Sequence, residues 1–509
     1  MTAALDHPPP PSAPPFRAIA DLVRDHAKKR PGQVAMIHGE RRVTWLQVDA
    51  MADRIAATLQ RDGVEPRQSI AIAGANSLEY FALFLGALRA GVAVAPLPTG
   101  ATTAQLATMV ADCAARHFFV DAAVPPFPSA ARRIFMDASG DPSLEQWLLP
   151  HGAKPKAVRA QPDWPFNIIY SSGTTGTPKG IVQPHGMRWM HVARAQGYGY
   201  SPDSVTVLAT SLCSNTTLVC AFPTVAQGGC LVFGKPKFDA ASYLALAQEV
   251  RATHTMLVPV QYQRIMALPD FDRYDLGSFQ AKFCTSAPFH ADLKQDILKR
   301  WPGGLIEFYG MTEGGGTCIL EAHNYPDKLH TVGKPAEGHD IRVIDEDGNE
   351  LPPNAVGEVV GRSAAMMTAY NNQPEKTREA EWYDAEGRRF IRTGDVGRFD
   401  EDGFLTLMDR RKDMVISGGF NVYPSDIEAI LRTHPKVADA AVVGVPSKEW
   451  GETPVAFVVV RGSLPEDELR SWVNEQVGKT QRLSGVRYLK ELPRSEIGKV
   501  LKRELRDSW

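Results

Sequence analysis

The feature that most constrains the fold is an alternation of short apolar runs with stretches of helical length. It first occurs where apolar residues 69–73 and 92–96 flank a helical pattern at residues 79–90. The same order returns over residues 230–259 and again over residues 281–308. Because parallel strands need a long crossover connection, such alternation is typical of large α/β sheets of the parallel type. The sequence therefore predicts an α/β protein whose large N-terminal domain contains parallel-type sheets.

The pattern changes in the last third of the chain. Alternating residues around Asp347-Gly348 indicate a hairpin and a smaller β unit. A dense charge run at residues 409–413 follows, and the tail beyond it has the helix and strand pattern of a small α+β domain. We place a domain boundary at the charge run. The predicted division is a disordered proline-rich start (1–16), an N-terminal domain (17–409), a hinge (410–413) and a C-terminal domain (414–509).

A glycine- and hydroxyl-rich loop follows a predicted strand at residues 166–170. Glycine lets backbone N–H groups turn inward, Ser and Thr add neutral donors, and Lys179 adds a positive charge, so the loop suits a polyphosphate at a strand end. The spacing is not that of a Walker loop, because Lys179 lies between Pro178 and Gly180. A mobile surface loop is the open alternative. The candidate phosphate-binding residues are Ser171, Ser172, Gly173, Thr174, Thr175, Gly176, Thr177 and Lys179.

A second motif begins where another predicted strand ends, at Phe308. It places Thr312 and Glu313 next to each other. A carboxylate at a strand end can coordinate Mg²⁺, and a hydroxyl beside it can bond a phosphate oxygen. A polar turn is the alternative interpretation.

Two further positions have weaker local signals. Asp395 follows Thr393-Gly394 and could accept the hydroxyls of a ribose, although an aspartate in a turn is usually a cap. Lys499 follows a glycine in a predicted loop, where a lysine is usually a solvated charge.

Taken together and in this order, these stretches resemble the adenylate-forming superfamily, which contains acyl- and aryl-CoA ligases, peptide-synthetase adenylation domains and firefly luciferase. The resemblance covers nearly the whole chain. It implies that the loop ending at Lys179 wraps the ATP β- and γ-phosphates. It implies that Thr312 contacts the α-phosphate, that Glu313 holds Mg²⁺, and that Lys499 is the catalytic lysine. It further implies an adenine site at Ala287, Pro288, Tyr309, Gly310 and Met311, ribose contacts from Asp395 and Arg410, a hinge at Lys412, and a pantetheine tunnel lined by Gly418 and Gly419.

The implied activity is an ATP-dependent carboxylate–CoA ligase that forms an acyl-adenylate and then an acyl-CoA thioester, with ATP, Mg²⁺ and coenzyme A. The small domain would rotate about Lys412 between the two steps. Two alternatives stay open: a stand-alone adenylation enzyme that loads a carrier protein, and an inactive nucleotide-binding regulatory protein. No carrier domain follows the tail, which favours free CoA, and intact Lys499, Glu313 and Asp395 argue against a dead site.

The acid is less constrained. Many aryl-CoA ligases have a histidine or aromatic gate residue in the segment that reads Thr210 to Thr217 here, and its absence predicts a roomier pocket. These segments contain no pair of basic residues that would indicate a dicarboxylate substrate. We expect a benzoate- or hydroxycinnamate-like acid, or a medium-chain one, and we expect His254 and Met366-Met367 in the core or on the surface. The predicted lining is Val260, Gln261, Tyr262, Phe283, Ser286, Gly314, Gly315 and Gly316.

Composition excludes several classes. Lys and Arg number 56 against 58 Asp and Glu, for a net charge of -2, so the chain lacks the basic footprint of a nucleic-acid-binding protein. Six cysteines without metal-ligand spacing predict buried reduced thiols. No signal peptide or apolar run of about 20 residues is present, so we expect a cytoplasmic monomer or homodimer without a membrane span. A protein acetyltransferase is a possible partner, because acetylation would remove the charge of Lys499.

Overall fold

The computed structural model describes residues 15–171, 178–410, 412–417, 420–495 and 498–509. The chain divides into two compact units, and it passes between them more than once. The first unit comprises the chain up to His330, Pro335–Asp340 and Gly361–Ile391, and the second comprises Thr331–Lys334, Ile341–Val360 and Arg392–Trp509. The predicted hinge at 410–413 lies inside the second unit.

The helices are amphipathic, and many begin at a polar capping residue. Thr44 and Thr102, for example, each accept a hydrogen bond from the backbone of a glutamine three residues on, in reciprocal capping boxes. The helices are α1 (Ile19–Lys29), α2 (Trp45–Arg61), α3 (Leu78–Arg89), α4 (Thr103–Asp112), α5 (Leu144–Trp147), α6 (His185–Ala195), α7 (Asn215–Gln227), α8 (Ala240–Glu249), α9 (Pro259–Met266), α10 (Ala291–Arg300), α11 (Pro374–Glu379), α12 (Pro424–Thr433), α13 (Glu466–Asn474) and α14 (Lys502–Ser508).

The strands are short, and most inner ones are fully buried. They are β1 (Val34–His38), β2 (Arg41–Thr44), β3 (Ser69–Ala73), β4 (Ala93–Leu97), β5 (His117–Val120), β6 (Arg132–Phe135), β7 (Pro165–Ser171), β8 (Lys179–Pro184), β9 (Val205–Leu208), β10 (Cys230–Phe233), β11 (His254–Leu257), β12 (Ala281–Cys284), β13 (Gly304–Gly310), β14 (Thr317–Glu321), β15 (Lys334–Pro335), β16 (Asp340–Ile344), β17 (Gly357–Arg362), β18 (Ala369–Tyr370), β19 (Glu381–Tyr383), β20 (Arg389–Phe399), β21 (Leu405–Arg410), β22 (Val415–Ser417), β23 (Phe420–Val422), β24 (Val437–Ser447), β25 (Gly451–Val460) and β26 (Gly485–Tyr488).

The first unit contains two large sheets. Among the described residues, one has nine strands in the order β15-β14-β13-β12-β11-β9-β10-β1-β2, and the other has seven in the order β18-β8-β7-β4-β3-β5-β6. The inner strands run parallel, as in β9, β11, β12 and β13, and antiparallel partners such as β2, β14 and β8 flank them. The main core consists of α2, α3 and α7 together with buried residues of both sheets. It includes Phe81 and Phe84 of α3, Phe222 of α7 and Phe166 of β7. The predicted α/β class is confirmed.

The second unit is smaller. Its C-terminal part is a sheet in the order β23-β22-β25-β24, with β26 parallel to β25. One buried cluster packs α12 and α13 on this sheet, around Ile427 and Leu469, and a second packs α14 on it through Leu505. The predicted α+β character of the tail is confirmed.

Several minor predictions are also confirmed. All six cysteines are free thiols, five of them buried and Cys213 partly so. His254 is fully buried and stacks on Tyr200 at 4.0 Å, and Met367 is buried in a cluster with Tyr370. Within the described part of the chain, no helix has both the length and the hydropathy that a membrane crossing requires.

Candidate active site

The predicted phosphate loop connects two paired strands. β7 and β8 are antiparallel, and Ser171 is the register partner of Lys179, so the loop leaves and re-enters the sheet at one point. Six of its predicted ligands, residues 172–177, lie outside the described residues. The Lys179 ammonium lies 5.0 Å from the ring centre of Tyr370, which is a cation–π distance.

Tyr370 joins this lysine to the second motif. Its hydroxyl donates a hydrogen bond to Glu313 Oε1 at 2.8 Å, and the backbone N–H of Met367 donates to the Glu313 carbonyl at 2.7 Å. Burial, together with the Glu313 carboxylate, raises the pKa of Tyr370, so its hydroxyl stays protonated and keeps donating. The contact fixes one carboxylate oxygen of Glu313 and leaves the other for a cation. Sequence reasoning missed Tyr370, which is separated from Glu313 by 57 positions.

Thr312 is held through its backbone. The side-chain amide of Gln183, on β8, donates to the Thr312 carbonyl at 2.6 Å. The Thr312 hydroxyl has no protein partner among the described residues, so it is available to a ligand oxygen. The backbone of the predicted α-phosphate residue is therefore fixed while its functional group is left for the substrate.

Gln183 belongs to a buried polar network centred on Arg188 of α6. One terminal nitrogen of Arg188 donates to Gln183 Oε1 at 2.7 Å, Asn215 Oδ1 at 3.0 Å and Asn167 Oδ1 at 3.2 Å. No carboxylate pairs with it in the described part of the chain, and burial lowers the pKa of Arg188 to about 9. This network positions Thr312 from the inside of the protein.

The residues at this strand end fit a magnesium–phosphate group. Mg²⁺ is usually held by one or two carboxylates together with phosphate oxygens and waters. The described residues contain no cluster of three or more potential metal-ligating side chains. Glu313 therefore fits as a single protein ligand to an ion whose other ligands come from the nucleotide and water.

The loops that follow the parallel strands are tied to each other. The Thr285 hydroxyl donates to the Phe308 carbonyl at 2.7 Å, and the hydroxyls of Thr216 and Ser286 are 2.7 Å apart. Ser286 has a φ of 84°, and the predicted adenine residues Ala287 and Pro288 follow it directly. Tyr309, Gly310 and Met311 leave the neighbouring strand β13. The first unit thus gathers these predicted residues at the carboxyl ends of its parallel strands, where α/β sheets bind ligands.

The three glycines after Glu313 have a packing explanation. A Cβ on Gly314 would lie 2.0 Å from the Ala365 carbonyl oxygen, and a Cβ on Gly315 would lie 2.7 Å from that of Gly361. Both have a positive φ. They are required by the close approach of residues 361–365, and all three are buried rather than forming an open wall.

A small cavity lies beside α6. Of the residues predicted to line the acyl pocket, Phe283 lies on its wall, whereas Tyr262 is in the core and donates to the Phe283 carbonyl at 3.0 Å. Sequence reasoning missed the α6 side of the wall. The lining is His191, Arg194, Ala195, Tyr198, Tyr200, Val219, Phe283 and Phe308.

The gate segment is held by its own small polar residues. The hydroxyls of Thr210 and Thr217 are 2.7 Å apart, and Asn76 bonds both the Thr210 carbonyl and the Leu212 N–H at 2.8 Å. These side chains close a loop, and the roomier pocket expected from their size stays a prediction.

The remaining predicted residues lie in the second unit. Arg410 Nε is 3.2 Å from Asp395 Oδ1, and the two are register partners on β21 and β20. Lys412 is exposed in the turn where the Asp413 N–H donates to the Arg410 carbonyl at 2.9 Å. Lys499 is half-buried, and its backbone N–H donates to Ser495 Oγ at 3.2 Å. Gly418 and Gly419 lie outside the described residues.

Comparison with known proteins agrees with this arrangement. Residues 23–371 match the AMP-binding enzyme family, and residues 426–499 match the C-terminal domain of AMP-binding enzymes. The chain belongs to the AMP-binding enzyme family. The adenylate-forming resemblance is thereby confirmed, and at the level of the family so is the prediction of an AMP-forming acid–thiol ligase.

Relatives of this AMP-binding enzyme align over nearly their whole length. The indoleacetate–CoA ligase of Aromatoleum aromaticum is 32% identical, over 96% of this chain and 97% of the relative. A feruloyl-CoA synthase from an Amycolatopsis species is 31% identical, over 94% and 96%. The ATP-bound structure of MatB from Rhodopseudomonas palustris has a TM-score of 0.86 at 28% identity, covering 96% of this chain and 98% of that one.

Proposed function

We propose that this AMP-binding enzyme is an ATP-dependent carboxylate–CoA ligase for a small aromatic acid. The acid carboxylate attacks the α-phosphorus of ATP, pyrophosphate leaves, and the acyl-adenylate then passes its acyl group to the thiol of CoA with release of AMP. The observation that carries the proposal is the linked set of Lys179, Tyr370 and Glu313 at the strand end that also bears Thr312.

Charge is the main obstacle in the first step, because a carboxylate and a polyphosphate are both anions. Lys179 supplies a positive charge where the phosphate loop re-enters the sheet. The Thr312 hydroxyl donates to an α-phosphate oxygen, and Glu313, oriented by Tyr370, holds the cation site. Mg²⁺ bound there would neutralise phosphate charge. Lys499 keeps its proposed role as the catalytic lysine of this step, and Asp395 with Arg410 its proposed role at the ribose.

The cavity beside α6 supports an aromatic acid over a medium-chain one. Phe283 and Phe308 stack with ring centres 5.4 Å apart, and Tyr198 meets Phe283 edge-on at 5.4 Å. Flat aromatic walls suit a flat ring.

The test is a panel of acids assayed for pyrophosphate release with ATP and Mg²⁺, with and without CoA. Benzoate, 4-coumarate and indoleacetate represent aromatic acids, and hexanoate represents aliphatic ones. We expect aromatic acids to support pyrophosphate release and CoA to yield the thioester. Thioester formation only on a phosphopantetheinylated carrier protein would select the carrier-loading alternative. Absence of pyrophosphate release with every acid would contradict the proposal.

Glu313→Gln tests the cation site directly. Losing one preorganised electrostatic group costs about a hundredfold or more in turnover, so we expect that loss in pyrophosphate release. Glu337→Gln removes an exposed carboxylate of the same unit and is the matched control. A folded Glu313→Gln protein with unchanged turnover would remove Glu313 from the proposed site.

A further inference from the structure

Arg194 lies on the wall of the cavity without a partner. Its guanidinium carbon is 5.0 Å from the ring centre of Phe308, and within the described part of the chain no carboxylate, carbonyl or hydroxyl oxygen pairs with it. Other buried cations of this unit are paired: Lys282 donates to three carbonyls, and Lys294 is 2.5 Å from Glu307. Arg194 is half-buried, and its guanidinium donors find no acceptor among the described residues, so they are available to a ligand.

The groups around Arg194 do not neutralise it. The pKa of His191 is lowered well below its usual range, mainly by burial and then by the positive charges of Arg188 and Arg194. Burial and Arg194 likewise lower the pKa of His339 to about 3, and burial raises that of Tyr198 to about 12 although Arg194 opposes it. These side chains are therefore uncharged near neutrality.

The nearby carboxylate of Glu321 is not a direct partner of Arg194. Its charge affects Tyr198, and it accepts a hydrogen bond from Asn324 at 2.7 Å. Arg194 therefore has no directly paired carboxylate among the described residues.

His191 adds a neutral donor beside Arg194. Its Nδ1 is 3.3 Å from a terminal nitrogen of Arg188, and a guanidinium can only donate, so Nδ1 accepts. A neutral imidazole then carries its proton on Nε2, and this N–H has no partner among the described residues. The wall thus offers a cation and a neutral donor within one turn of α6, which is a fitting pair for a carboxylate.

We propose that Arg194 binds a second acid group of the substrate, so that the preferred acid is a compact aromatic dicarboxylic acid. The inference rests on the proposed function, because it takes the reacting carboxylate to lie at the Thr312 end. Arg194 follows Arg188 by six residues, about 9 Å along the helix axis, and Arg188 is linked to Thr312 through Gln183. One aromatic ring with an acid group at each end can bridge such a separation.

This inference departs from the expectation, based on the lack of a pair of basic residues, that the substrate is not a dicarboxylate. That expectation considered the gate and the strand ends, whereas Arg194 comes from the helix after the phosphate loop. A stacking role on Phe308 alone is the competing explanation. Stacking on Phe308 occupies one face of the guanidinium and leaves its in-plane N–H donors available to an acid group.

The experiment compares terephthalate with 4-methylbenzoate in wild type, Arg194→Met, Arg194→Lys and the control Arg273→Met, an exposed arginine of the same unit. We expect wild type to prefer terephthalate in kcat/KM of pyrophosphate release. Truncating one partner of a charge pair at a binding site weakens binding about a hundredfold. Arg194→Met should therefore lower kcat/KM by about that factor for terephthalate and by less than about threefold for 4-methylbenzoate. Arg194→Lys should keep most of the preference, and Arg273→Met all of it.

A binding measurement separates this inference from the proposed function. Titration calorimetry of each acid reports its affinity whether or not chemistry follows. Terephthalate binding that Arg194→Met abolishes, in a protein that releases no pyrophosphate, would support the inference and contradict the function. Turnover of 4-methylbenzoate with no terephthalate preference, or an equal effect of Arg194→Met on both acids, would overturn the inference and leave the function standing. Absence of terephthalate binding would also overturn it.

Discussion

The two ends of α6 treat an arginine in opposite ways. Near the start of the helix, Arg188 has three side-chain amide oxygens within 3.2 Å. Near its end, Arg194 faces aromatic rings and a cavity, without an oxygen acceptor among the described residues. An arginine therefore has a structural role at one end of α6, whereas at the other end an arginine is available to bind a ligand. Hydrogen-bond satisfaction, rather than burial alone, distinguishes structure from function here.

The difference also organises the proposed site. The Arg188 network fixes the Thr312 backbone and has no need of a ligand. The Arg194 end has its charge in place before the acid arrives, so binding does not need to bring a cation into the site.

The largest effect that tests this comparison is expected from Arg188→Met. It leaves the amide oxygens of Asn167 and Asn215 without their main donor, and each unsatisfied buried acceptor costs about 1–3 kcal/mol. We expect the free energy of unfolding to fall by about 2–4 kcal/mol, measured by urea denaturation. Arg188→Lys, which keeps a donor, should recover part of this. A neutral or stabilising Arg188→Met would mean that the network is not a scaffold.

The sequence predicted more of the fold than of the site. Apolar runs of four or five residues became β3, β10 and β12 within a residue or two, because buried parallel strands need continuous apolar faces. Thr312 and Glu313 were also predictable, since polar residues directly after a buried strand must lie at the sheet edge.

What the sequence did not reveal depends on distant contacts. Tyr370 reaches Glu313 only through the pairing of β18 with β8, a contact between separated segments. Gly314 and Gly315 resembled pocket walls because sequence does not show the backbone of residues 361–365 against them. Nothing in the sequence distinguishes Arg194 from the other arginines, because what sets it apart is the lack of an oxygen acceptor among the described residues.

The next largest effect concerns the pH dependence of the free energy of unfolding, to which the buried His185 contributes. His185, at the start of α6, is 2% exposed, and neither of its ring nitrogens has a partner among the residues that the structure describes. Burial lowers its pKa to about 4. Its folded pKa is below the unfolded value of 6.5, so the unfolded chain binds the proton first and stability falls as pH falls below 6.5. Between pH 7 and 4.5 this one group should cost about 2–3 kcal/mol of unfolding free energy.

His185→Phe isolates that contribution. The variant removes the titrating ring but keeps an aromatic group against Phe166, whose ring centre is 5.0 Å from that of His185. The readout is the change in unfolding free energy between pH 7 and 4.5, not its absolute value. The variant should lose less than wild type by about 2 kcal/mol, and His323→Phe, at an exposed position, should not. Equal acid sensitivity of wild type and His185→Phe would assign the effect to other groups.

The smallest effect is the most diagnostic, because its size separates the two arginines. In the ligand-free protein Arg194 is half-buried and has no oxygen acceptor among the described residues, so Arg194→Met loses mainly the cation–π contact with Phe308. Arg194→Met should therefore change the free energy of unfolding by no more than about 1 kcal/mol. Thermal unfolding without ligand measures it, with Arg273→Met as the control for removing a surface arginine. Adding terephthalate should stabilise wild type and not Arg194→Met, because only wild type then gains binding energy. If Arg194→Met is instead destabilised without ligand by as much as Arg188→Met, then Arg194 is a structural residue like its neighbour, and the two ends of α6 differ in geometry but not in role.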